Sequence, residues 1–203
     1  MLEGVKDLVV NVGGKTIAFG DSYGGTVKVD LKNYQGALTN ISGSNKTQAS
    51  YAEKAKPQIT ATLNSVPADL LASMIGAPKL DGGLYTNNVE QLPDVGVVFN
   101  ALRFHTDKDR AFVFPRCNCT FTTVSLSTDT DSKKSMATVQ LEFNALDSEK
   151  INASGGFMDV PSDDLSQVYT LLGWDKPSAD GGDFNTTSST SDAHSGTVSP
   201  KAN

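Results

Sequence analysis

Residues 110–146 read RAFVFPRCNCTFTTVSL (110–126), STDTDSKKS (127–135) and MATVQLEFNAL (136–146). In the last piece Val139, Leu141, Phe143 and Ala145 alternate with Thr138, Gln140, Glu142 and Asn144. A period of two places each set on its own side of an extended chain, so this is a strand with one buried and one wet face. The first piece is apolar and aromatic enough to pair with it. The polar run Ser127–Ser135 between them, free of large hydrophobes, reads as the exposed loop of a hairpin. Pro115 has no N–H for a ladder, which implies a bulge or an edge there, and a bulge also explains why Phe121 and Val124 stand three apart. This hairpin is the expected spine of the fold.

Working outward, Val95–Phe104 is apolar at nearly every position, as in a strand covered on both faces, and His105–Asp109 is the polar turn that leads it into Arg110. Gln58–Asn64 alternates with Ile59, Ala61 and Leu63 inward. After it, Pro67, Asp69, the stripe Leu70, Leu71 and Met74, and Gly76 followed by Pro78 spell one short helix. Thr26–Lys32 is a strand with Val27, Val29 and Leu31 inward, and Leu8–Val12 pairs with Lys15–Phe19 across Gly13-Gly14. Residues 33–56 dissolve into small and polar residues flanked by Tyr34 and Tyr51. A connection of that length is either a floppy surface loop or one ordered by a neighbouring chain, with tyrosine as its anchor.

Towards the end, Pro161 and Ser162, then Asp163 and Asp164, then the stripe Leu165, Val168, Tyr169 and Leu172, then Gly173 spell a second helix. The chain after it has almost nothing to bury and is expected to be disordered. The organisation is therefore an arm (1–7), one mainly β domain (8–150) carrying the long loop 33–56, a C-terminal helical segment (151–175) and a tail (176–203).

The 203 residues, 38% of them hydrophobic, suffice for one core rather than two. A net charge of −6 and a pI near 4.8 argue against a protein that grips nucleic acid through its phosphates. No apolar run approaches the ~20 residues that cross a bilayer, and the start lacks the pattern of a secretory signal, which points to a soluble chain made in the cytoplasm. Cys117 and Cys119 share one strand face at a spacing that would strain a disulfide, so two reduced, buried thiols are expected.

Chemistry is hard to find. The two histidines are His105, in a turn, and His194, in the tail, and neither suits a nucleophile-and-base site. Cys117 and Cys119 have no partner pair at zinc spacing, while Asp129 and Asp131, like Asp180 and Asp183, lack the calcium-loop glutamate. Neither a catalytic nor a cofactor or metal site is expected. A mostly β scaffold with a long polar loop and no catalytic group is the pattern of an assembly subunit.

In order, GVKDL, DLLASMIGA, LYTNN, PDVGVVFNALRF, a charged turn, RAFVFPRCNCT, LSTDTDS and VQLEFNAL, spanning Gly4–Leu146, resemble the major tail proteins of long, non-contractile-tailed bacteriophages of Gram-positive hosts. The resemblance implies two packed antiparallel sheets, a β-sandwich or partly open barrel, with one flanking helix and a short C-terminal helix. It also implies hexameric rings stacked into a tube in the virion tail, with DNA passing through the lumen without specific binding. Other phage tail proteins would meet the tube ends, and no membrane is involved. In such proteins inner strands line the lumen, while the N-terminal arm, the long loop and the C-terminal segment join subunits. By position Val5 falls in the arm, and Tyr34, Asn40 and Tyr51 in the loop. Asp129 and Asp131, in the polar hairpin loop, complete the expected subunit interface. The competing reading is a β-sandwich module on a virion that binds carbohydrate or a cell-surface ligand, with Trp174 and a few tyrosines as its candidate aromatics, although Trp174, just after the second helix, reads as a residue packed against it.

Overall fold

The structure is a computed structural model that describes residues 2–20, 25–43, 46–126 and 137–177. The Ser127–Ser135 loop with Asp129 and Asp131, the aspartates at 180 and 183, His194 and all of the expected tail after Pro177 lie outside the described residues. The elements run β1 (Leu2–Val12), β2 (Lys15–Ala18), β3 (Thr26–Lys32), β4 (Leu38–Gly43), β5 (Lys46–Ala52), β6 (Gln58–Leu63), α1 (Ala68–Ile75), β7 (Asp94–Arg103), β8 (Lys108–Ser125), β9 (Thr138–Ala145), β10 (Gly156–Pro161) and α2 (Ser166–Leu172).

As expected, the chain is mainly β with two antiparallel sheets and two helices, and no closed barrel forms. The larger sheet has eight strands in the order β2-β1-β7-β8-β9-β6-β3, with β10 on β8; the smaller is the β4-β5 hairpin. The 18-residue β8 organises the larger sheet. One of its edges carries β10 along Lys108–Val113 and then β9 along Cys117–Ser125, while the other carries β7 along Arg110–Asn118. Its ladder slips once at Pro115-Arg116, which together oppose Gly96, and again at Thr122 between Phe121 and Thr123. Both bulges stand where the sequence requires them, and a bulge bends its strand. The sheet thus has two halves, β2-β1-β7-β8 with β10 and β8-β9-β6-β3. It curls so that β1 and β3 approach without pairing.

Between the halves lies the main core. Leu8, Val10, Val95, Val97 and Phe114 come from one half, Ile59, Ala61, Leu63, Leu141 and Phe143 from the other, and Leu70 and Met74 from α1. Cys117 and Cys119 are free thiols within it, both fully buried. α1 begins after Pro67 and stops at Gly76, which takes the left-handed φ of 72° that L side chains avoid. A second core, Val9, Val98, Ala111, Val113 and Val160 under Leu165, Val168, Tyr169 and Leu172, pins α2 to the outer face of the first half.

Five local expectations change. β1 reaches back to Leu2, pairing Val5 with Ala101 between two register shifts, so residues 2–7 continue the strand instead of forming a separate arm. Val27 is 55% exposed, not inward, because β3 bulges between Thr26 and Lys28. The long loop contains the β4-β5 hairpin. Residues 156–161 form β10, so α2 starts only at Ser166; Asp163, expected in its first turn, has a φ of 67°. Asp109 leaves the polar turn and is buried in β8 opposite Val160, taking a hydrogen bond from Ser162 Oγ at 3.2 Å.

Candidate assembly surfaces

Among the described residues, the β4-β5 hairpin is held to the domain at its neck. Asn33, with φ 52°, turns the chain after β3, and the Tyr34 ring meets Phe112 and Phe114 edge-on at 6.3 and 6.4 Å. Glu53 N–H donates to Ala37 O at 2.8 Å. Gly36 passes so close that a Cβ there would lie 1.6 Å from Glu53 O, which only glycine permits. Lys54 pairs with Asp147. Beyond the neck, Leu38 is 74% exposed and Ile41 and Tyr51 are more than half exposed, and among the described residues no hairpin side chain joins either core. A lone two-stranded hairpin is marginal in water, so this one gains most from a neighbouring surface.

The two outer sheet faces differ in chemistry. That of the first half is apolar and covered by α2 and Trp174. Trp174 lies over Gly96, so the aromatic on which a ligand-binding module would depend is a packing residue. Among the described residues no helix covers the outer face of β8-β9-β6-β3. Asn118 and Thr120, then Gln140, Glu142 and Asn144, then Gln58, Thr60 and Thr62, then Lys28, Asp30 and Lys32 cross it in register. Its charges balance: Lys28 pairs with Asp30 at 2.7 Å, and Glu142 accepts from Gln58 Nε2 at 2.7 Å and Asn144 Nδ2 at 3.2 Å. This polar half-sheet also has two open edges, since β3 pairs only with β6, and β8 beyond Asn118 only with β9, among the described residues.

A family model described as phage tail tube protein matches residues 16–167, from β2 into α2 and across both halves of the sheet. The chain belongs to that family. No curated protein matches it. A tail tube protein is a structural subunit, and its place is the tail of the virion.

In this tail tube protein the expected interface residues part company. Val5 and Tyr34 are half-buried against the chain's own main core, and burial raises the Tyr34 hydroxyl pKa. Asn40 and Tyr51 are exposed on the hairpin, where their pairings with Ser50 and Thr39 put them on opposite faces. Ser50 Oγ donates to Asn40 Oδ1 at 2.8 Å. Sequence reasoning missed the exposed apolar groups at the open edges: Val27 on β3, and Phe121, Val124 and Leu126 at the end of β8. The three-residue spacing of Phe121 and Val124 was the available signal, since a bulge at an edge marks interrupted pairing.

Among the described residues no group of three or more His, Cys, Asp or Glu is arranged to hold a metal. Burial pushes the Cys119 thiol up to about 12 and raises Cys117 as well, the latter helped by Cys119 and Asp94. Thiols this reluctant to ionise are poor nucleophiles.

Proposed function

We propose that this protein builds the tube of a long, non-contractile phage tail by joining copies side by side through the open edges of the β8-β9-β6-β3 half-sheet. The contacts are head-to-tail and close into a hexameric ring. Rings then stack through the β4-β5 hairpin, helped by residues 2–7 and by the chain after Lys150. Other tail proteins cover the tube ends, and the bore delivers the genome to the host cell.

The observation that carries this reading is the polar half-sheet face, left bare and bounded on both sides by unpaired edges. Open edges attract other strands, and an assembly that uses them removes the hazard. Turned to the lumen, the face offers DNA hydroxyls and amides with balanced charge. Gripping phosphates takes clustered Lys and Arg, so the duplex can slide. The net acidity of the chain belongs to other surfaces in this reading.

Light scattering and negative-stain electron microscopy of the purified protein test it. Rings or hollow tubes are expected. A strict monomer under all conditions, above all one that binds glycans, would favour the binding module instead.

A further inference from the structure

The half-sheet's ladders align its two edges. Thr26 on β3 pairs with Leu63, Leu63 with Val139, and Val139 with Val124 on β8, so Thr26 and Val124 stand in one row. Beside that row β3 bulges out Val27, which is 55% exposed. At the same height on the far edge β8 bulges at Thr122 and exposes Phe121 (40%), Val124 (44%) and Leu126 (77%). Each edge of the half-sheet thus bears an exposed apolar patch, and the two patches are level.

We propose that Val27 of one copy seats against Phe121 and Val124 of a second copy of this chain, and that this contact sets the register of the ring. The inference rests on the side-by-side reading above. Strand direction alternates across the half-sheet, so a neighbour related by rotation about the tube axis lays its β8 antiparallel to β3. For strands parallel to the axis, that rotation alone brings Val27 to the height of Val124. Closing a barrel staggers the rows, and the patch from Phe121 to Leu126 runs along β8 far enough to keep Val27 on it. The polar side chains that β3 and β8 bring to the seam, among them Thr26, Lys28, Asp30, Thr120 and Thr123, specify its register weakly, and the apolar contact supplies the clamp they lack. A different partner would meet one patch and leave the other bare, whereas a second copy covers both.

The test uses the full chain. Val27→Cys with Val124→Cys is assembled under reducing conditions and then oxidised; the buried Cys117 and Cys119 stay silent, and each single variant is the control. A ladder of covalent multimers from the double variant alone is expected. Val27→Asp, at an exposed site, should leave the melting temperature unchanged and cut the assembled fraction by about tenfold or more. Tubes of the double variant without a ladder, or normal assembly of Val27→Asp, would overturn the clamp while leaving side-by-side assembly standing. A wild-type chain that never forms rings or tubes would overturn both.

Discussion

A Cβ placed on Gly96 would lie 2.1 Å from Cζ2 of Trp174, so the indole fills the space that a side chain at position 96 would need. The contact locks the end of α2 onto β7, opposite the Pro115-Arg116 bulge. Gly96→Ala must displace the ring or bend the strand, an overpacking cost of about 1–3 kcal/mol. Urea unfolding followed by tryptophan fluorescence measures it, and an unchanged midpoint would show that the indole is not seated there.

The thiols give a second prediction. With Cys119 raised to about 12 and Cys117 raised too, neither ionises near pH 8, and both lie inside the core. The folded chain should be inert to a thiol-reactive chromophore and should release two equivalents in urea. Rapid labelling of the native protein would contradict the placement of residues 117 and 119.

A third prediction concerns alkaline pH. Burial, with Asp7 and Asp164 nearby, pushes the Tyr169 hydroxyl from 10.0 up to about 12. Because the folded pKa is the higher one, this contribution to stability is complete below pH 10 and is lost as pH rises towards 12. Tyr169→Phe keeps the ring and removes the titration, so its stability should fall less steeply over that range. Equal slopes for the two chains, by chemical denaturation at each pH, would refute this.

The fourth prediction separates folding from assembly. Replacing residues 38–52 by a short Gly-Ser linker removes a hairpin whose described side chains join neither core, so the melting temperature should move by no more than about 4 °C. Ring stacking should fail. Normal tubes from the shortened chain would remove the hairpin from the assembly account.

Burial explains what could be read from the sequence. β6 was legible because Ile59, Ala61 and Leu63 are completely buried, and the two bulges of β8 because Pro115 and the Phe121–Val124 spacing break a visible rule. The described side chains of β4 and β5 join neither core, so no burial pattern imposed a period on them. Pro161-Ser162-Asp163-Asp164 carries the composition of a helix start. The ladder from β8 nevertheless holds Pro161 opposite Lys108 in a strand, and that competing partner lies far away in sequence. Val27 fits its alternation perfectly; the slip that exposes it is a property of the ladder with β6. The proposed assembly surface was hidden for the same reason. Its polar face could be read strand by strand, but the open edges exist only once strand order is known.

The most direct test of the account is a helical reconstruction of assembled tubes by cryo-electron microscopy. In that reconstruction Thr60, Thr62, Gln140 and Glu142 should line the bore, and β3 of each subunit should run beside β8 of the next. A tube with these residues on its outer wall, or with β3 and β8 apart, would contradict it.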